Sequence, residues 1–178
     1  GWFNGTQDFD PGPDTFLLSG AGYSDVFIVK LNKFGDFIWA NKISGKGYEH
    51  AVSITAFMHG DGGFFITGYI DDTTDFDPKP NQVFNIIPGG IQECFLAKFD
   101  SACNLTWAVV FHGTRHQLPY SILLDTATIP AVYLTGWFSG SVDFDPSPFL
   151  TDSLIAISPG VDIFIVKLDT SGNFSWAK

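Results

Sequence analysis

Six aspartates have the type and spacing to do chemistry: Asp8 and Asp10, Asp75 and Asp77, Asp143 and Asp145, each pair set in an Asp-Phe-Asp-Pro tetrapeptide. In an extended strand, residues i and i+2 point to the same face, about 7 Å apart at Cα. Phe9, Phe76 and Phe144 then point the other way, toward a core. Two carboxylates at a strand end could hold a hard cation such as Ca²⁺. A loop carbonyl or Asp25, Glu93 or Asp162, the acids that open the next apolar strand, would complete the set. Alternatively, each aspartate accepts backbone N–H groups in the turn before its proline. Lys30, Lys98 and Lys167 could also neutralise one carboxylate per set as an ion pair between neighbouring units. The turn role is preferred, because Ca²⁺ takes six to eight oxygens and each copy displays only two or three. No other cofactor is implied.

Paired carboxylates also serve glycoside hydrolysis, where their separation selects the mechanism. A catalytic pair is normally singular, whereas this one recurs in every copy, so it argues for structure and against an enzyme. His112 and His116 have metal-like spacing, yet the first copy holds Ser44 and Tyr48 there. Without a helix, that spacing does not converge two imidazoles, and a solvated loop is expected. The repeated tryptophans read as core; Trp2 and Trp137 would line a sugar-binding mouth only if exposed. Asn4-Gly5-Thr6, Asn104-Leu105-Thr106 and Asn173-Phe174-Ser175 match the short, common glycosylation sequon.

The elements that position these residues come in three copies. Gly1-Trp2-Phe3, Gly68-Tyr69-Ile70 and Gly136-Trp137-Phe138 open alignable segments offset by 67 and then 68 residues. Each runs through Asp-Phe-Asp-Pro and a variable loop to an acid, an apolar strand and a lysine: Asp25 to Lys30, Glu93 to Lys98, Asp162 to Lys167. A tight turn and a tryptophan follow, at Trp39, Trp107 and Trp176. One period reads as four strands, a to d, which in the middle copy fall near residues 51–57, 63–70 (with a possible run to Phe76), 93–99 and 105–111. Short turns, one at residues 59–62, pair a with b and c with d as antiparallel hairpins. Cys103 replaces Gly35 and Gly172 where φ is expected to be positive, so its turn should be strained. Gly68 and Gly136 mark close backbone approach on strand b.

Hydrophobic residues at 45%, with 19 Phe and 5 Trp, exclude a disordered chain. Gly (19) and Pro (10) punctuate short runs of Val, Ile, Phe and Thr, the pattern of an all-β protein. A formal charge of −10 with 9 Lys and Arg argues against nucleic acid, and no apolar run approaches the roughly 20 residues of a membrane helix. Cys94 at a strand start and Cys103 in the following turn are too far apart to bridge, so free thiols are expected.

The expected fold is an all-β β-propeller of four-stranded antiparallel blades, about 2.7 of them here. Residues 1–48 make a partial blade of strands b, c and d, 49–115 a second blade and 116–178 a third, within one repeat domain spanning 1–178. A β-helix is disfavoured by the long period and tight hairpins. Eleven strands are too few to close a ring, so more blades belong to a longer chain, or, less favoured, chains self-associate.

The strand Ile66-Thr67-Gly68-Tyr69-Ile70, its counterpart Leu134-Thr135-Gly136-Trp137-Phe138, the hairpin from Asp162 to Lys178 and the inserted Asp-Phe-Asp-Pro together resemble SBBP β-propeller repeats. These occur in large secreted bacterial proteins, and the Asp-Phe-Asp-Pro variant is similar to that of exported Bacteroidetes proteins. The likeness covers essentially the whole chain and carries no catalytic residues. It implies an extracellular or cell-surface location and a scaffold or adhesion module. Such a module would bind protein or glycan through loops 12–24, 79–92 and 147–161, which differ most between copies. The alternatives are a structural filament or surface-layer subunit and, last, a glycan-active hydrolase.

Overall fold

The computed structural model describes residues 1–57, 62–157 and 160–178, and these form strands and turns with no helix. The first copy contains β1 (Trp2–Phe3), β2 (Thr6–Asp8), β3 (Leu17–Ser19), β4 (Asp25–Leu31) and β5 (Phe37–Gly45). The second contains β6 (His50–Ala56), β7 (Phe64–Ile70), β8 (Thr74–Asp75), β9 (Asn85–Ile86), β10 (Glu93–Phe99) and β11 (Leu105–Val110). The third contains β12 (Gln117–Asp125), β13 (Ala131–Phe138), β14 (Ser141–Asp143), β15 (Ser153–Ile155), β16 (Asp162–Asp169) and β17 (Phe174–Ala177).

Two four-stranded antiparallel sheets result, in the orders β6-β7-β10-β11 and β12-β13-β16-β17. The first sheet holds β1, β4 and β5, and its end continues through Ser44↔Asp75 into the small β8–β9 pair. The hairpins β2–β3, β8–β9 and β14–β15 are the inserts that carry Asp-Phe-Asp-Pro; the sequence did not announce them as strands. β7 does not run on to Phe76. It ends at Ile70, and the chain turns where Asp72 Oδ1 accepts the Thr73 N–H (2.6 Å) and Thr74 Oγ1 donates to the Asp72 carbonyl (2.9 Å).

Burial follows from stacking. On β10, Cys94 and Leu96 join a core with Val132, Leu134, Phe164 and Val166 of the third sheet. Phe95, Ala97 and Phe99 point the other way, into a core with Val26, Ile28 and Ile43 of the first sheet. The central strands of the middle sheet, β7 and β10, are therefore covered on both faces and show no polar alternation, whereas the edge strand β6 exposes Val52 and Ile54. β16, covered on one face, alternates: Phe164 and Val166 are buried and Ile163 and Ile165 exposed.

Glycine has a stated role at Gly68 and Gly136. β6 and β12 bulge opposite them, between Ala51 and Ser53 and between Pro119 and Ser121. A methyl group at either glycine would overlap the carbonyl oxygen of His50 or Leu118. In the c–d turns, φ is +90° at Gly35, +89° at Gly172 and +61° at Cys103, so the middle turn does place a side chain in left-handed space. Both cysteines are free and buried; burial pushes both thiols up, Cys103 to about 12. Of the a–b turn, Gly62 is described (φ +64°), while His59, Gly60 and Asp61 lie outside the described residues.

Candidate functional site

The three aspartate pairs have one geometry. Asp8 Oδ1 accepts the N–H groups of Asp10 (3.1 Å) and Phe16 (2.9 Å), and Asp10 Oδ1 accepts that of Gly12 (2.7 Å). Asp75 Oδ1 likewise takes Asp77 (3.0 Å) and Phe84 (2.8 Å), with Asp77 on Lys79 (2.9 Å). Asp143 Oδ1 takes Asp145 (3.1 Å) and Asp152 (2.9 Å), with Asp145 on Ser147 (2.9 Å). The first aspartate of each pair thus closes the insert hairpin and the second caps the turn through its proline. The phenylalanine between them packs on the phenylalanine of the next c strand: Phe9 on Phe27 (4.8 Å), Phe76 on Phe95 (5.1 Å), Phe144 on Phe164 (4.8 Å).

Asp25, Glu93 and Asp162 have partners of their own. Asp25 Oδ2 accepts the Ala21 N–H (2.9 Å) and Asp162 Oδ2 that of Ile157 (2.8 Å). Glu93 is buried and accepts Gly113 N–H (2.8 Å), Gly89 N–H (3.0 Å) and His112 Nδ1 (2.9 Å). Burial alone would raise Glu93, but these hydrogen bonds outweigh it and hold the carboxyl below its usual range, while His112 is raised by the same contact. Among the described residues, no group of three or more His, Cys, Asp or Glu could hold a metal ion. His112 and His116 do not converge; His116 Nδ1 pairs instead with Gln92 Oε1 at 3.0 Å. Two of the three lysines reach carbonyls rather than carboxylates, Lys30 at Ser101 (3.0 Å) and Lys98 at Thr170 (3.2 Å), and Lys167 lies over the Tyr133 ring at 5.3 Å.

An exchange between copies escaped sequence reading. Gly45 N–H is accepted by Glu49 Oε2 (3.1 Å), whereas the equivalent Gly113 N–H is accepted by Glu93, because Gln117 stands where Glu49 does. Asp25, one methylene shorter than Glu93, leaves its buried Oδ1 without a partner, as is the neighbouring Ser24 Oγ. Glu49 is wholly buried, and desolvation pushes it up to about 7. The Thr74 hydroxyl (3.1 Å) works against the rise, and the charges of Asp25 and Asp71 add to it. The signal for this was present: the aligned positions hold Asp25 and Glu49 in one copy and the longer Glu93 with an amide, Gln117, in the next.

Of the tryptophans named for a mouth, Trp2 is 52% exposed and Trp137 largely covered. Trp2 lies flat against His50, with ring centroids 4.5 Å apart, beside a second stack of Tyr23 on Tyr48.

Fold and site together define an all-β chain of stacked, repeated antiparallel sheets whose repeated polar residues are spent on turns. Over 168 residues, 89% of its length, the chain is 27% identical to the uncharacterized WD repeat-containing protein L264 of Acanthamoeba polyphaga mimivirus. The chain spans 12% of that protein's length. No family model matches the chain, and no solved structure matches it.

Proposed function

We propose that this chain is a run of β-propeller blades that acts as a non-catalytic scaffold, binding a partner protein through the loops at one end of its sheets. The observation that carries the reading is that the sheets repeat their mutual contact. Lys30 of the first sheet caps the c–d turn of the second at Ser101, and Lys98 caps that of the third at Thr170. The third sheet offers the same face again: Ile163 (77% exposed) and Ile165 occupy the positions of Cys94 and Leu96, which are fully covered in the middle sheet. β12 lies against β6 and β7, with Ile122 N–H donating to Ser53 Oγ (3.4 Å), so the inner strands crowd together as they do around a propeller axis. Tandem four-stranded units are the form of WD repeats, which the relative's name invokes.

The non-catalytic part is supported by the aspartates, since each pair recurs and has Oδ1 engaged in its own turn. The SBBP-type assignment, the extracellular or cell-surface setting and a glycan as alternative ligand follow from the resemblance of the repeats. A filament subunit is a second reading, favoured by the exposed apolar face of the third sheet around Leu123, Ile163 and Ile165.

Cross-linking the protein to a native partner, with contacts mapped by mass spectrometry, tests the scaffold. Cross-links at residues 12–24 and 79–92 are expected. Contacts confined to the third-sheet face, with chains of this mass assembling in light scattering, would replace it with the filament.

A further inference from the structure

Where repetition marks structure, a departure confined to one junction marks use. The loop before β4 meets the connection before β6 at Ser24↔Tyr48, and the next junction repeats this at Gln92↔His116. The backbones match, with Glu49 N–H donating to Ser24 O and Gln117 N–H to Gln92 O, both at 2.9 Å. The side chains do not. At the first junction Trp2 stacks on His50 with planes 1° apart, Tyr23 stacks on Tyr48 at 5.1 Å, and Tyr48 stands edge-on to His50 at 6.2 Å. Four rings make one continuous surface, and the hydroxyl of Tyr69 fixes the imidazole through Nδ1 at 2.7 Å. Trp2, Tyr23 (68% exposed) and Tyr48 (45%) face solvent. At the second junction the corresponding residues are Tyr69, Ile91, His116 and Leu118.

Charge departs at the same place. Asp71 and Asp72 follow β7, where the third copy has Ser139 and Gly140. Asp71 Oδ1 accepts the Tyr48 N–H at 2.7 Å, which holds a carboxylate beside the rings. His50 adds no opposing charge at neutral pH, because burial holds it below its usual value. Electron-rich ring faces flanked by carboxylates, on a chain of net charge −10, attract cations. A guanidinium suits them better than an ammonium, since its plane stacks on a ring while its N–H fork reaches a carboxylate.

We propose that the platform of Trp2, Tyr23, Tyr48 and His50, flanked by Asp71 and Asp72, binds an arginine side chain of a partner protein. This rests on the scaffold reading and names the site and chemistry by which the partner is held. Arginine would lie across the free aromatic faces with its fork turned to Asp72.

The test is a titration of the full chain with the capped tripeptide Ac-Gly-Arg-Gly-amide, followed by NMR at the Trp2 indole N–H and the Tyr23 and Tyr48 amides. Its lysine analogue and a neutral methyl pyranoside serve as comparators. Saturable shifts confined to this junction are expected, with arginine binding tighter than lysine and binding weakening as salt rises. Tyr23→Ala and Asp72→Asn should each weaken binding by up to about tenfold. Both side chains are exposed and asparagine keeps an acceptor for the Thr73 N–H, so the variants should melt within a few degrees of the wild type; Ile91→Ala, at the second junction, should leave binding unchanged. The proposal fails if no saturable shift appears by about 10 mM peptide, or if Ile91→Ala costs as much as Tyr23→Ala. It also fails if the pyranoside binds more tightly than arginine and is indifferent to Asp72→Asn, which would make the surface a glycan platform. A failed titration with partner cross-links still on the loops removes only the arginine site. Tripeptide binding with no loop-mediated partner removes the scaffold reading.

Discussion

Replacing Glu49 by glutamine should flatten the dependence of stability on pH. The folded carboxyl sits at about 7 against an ordinary 4.5, chiefly because it is buried between the first and middle sheets, with Asp25 and Asp71 the charges that add to the rise. The folded state therefore keeps a proton that the unfolded chain releases. The contribution is fully present below about pH 4.5 and is lost as pH rises through about 7. At about 1.4 kcal/mol per pH unit the gap sets a ceiling of about 3 kcal/mol, and solvent relaxation around the ionised group brings the expected loss nearer 2. Glutamine keeps an acceptor for the Gly45 N–H and the Thr74 hydroxyl without the charge, and Gln117 occupies the equivalent place in the next copy. Urea unfolding at intervals from about pH 5 to 8, followed by tryptophan fluorescence, reads the effect directly. The wild type should lose stability across that range, and E49Q should hold nearly level and exceed the wild type at the alkaline end. Two small slopes of opposite sign remain: His112, whose charged form is favoured by Glu93, loses stability as pH rises, and His50, held low by burial, gains it; His112→Gln removes the first. If E49Q keeps the wild-type slope, or is the less stable protein near pH 8, burial of Glu49 is not what sets the titration.

Three further expectations follow from the same geometry. Gly68→Ala and Gly136→Ala should each cost about 2–4 kcal/mol in urea unfolding, because the new methyl group meets a backbone carbonyl that cannot swing away; a cost under about 0.5 kcal/mol would refute the close approach. Asp143→Ala should cost about 1–2 kcal/mol through its two lost backbone acceptor contacts, while Asp143→Asn keeps an acceptor and costs less. Chelator should leave the melting temperature of both unchanged, and a Ca²⁺-dependent rise that Asn abolishes would make these aspartates ligands after all. Neither thiol should react with a disulfide reagent in the native state, since Cys94 and Cys103 are buried and their thiolates disfavoured; both should react at once in denaturant, and native labelling of Cys103 would contradict its placement.

Much of this protein is legible in its sequence. Strand Glu93–Phe99 falls where its apolar run predicts, and the positive φ at Cys103 was foreseeable from the glycines aligned with it. The phenylalanine inside each Asp-Phe-Asp-Pro turns to the core as period-2 alternation requires, wholly for Phe76 and Phe144 and partly for Phe9. The insert hairpins were not legible, because β8 and β9 are two residues each and their pairing is set by one aspartate oxygen rather than by a run of apolar residues. Nor was the aromatic platform. Trp2, Tyr23 and the Tyr48–His50 pair lie on three separate segments, and no local spacing joins the three.

The amino-acid sequence by itself determined the repeat, its four long strands and the tight turns between them, because these rest on local steric preference and on hydrogen bonds that close within a few residues. Only the tertiary structure decided which sheet face is covered, which carboxyl is forced to keep a proton, and which rings share a surface. Those depend on stacking one sheet on the next, which brings Glu49 beside Asp25 and Trp2 against His50 across long stretches of chain.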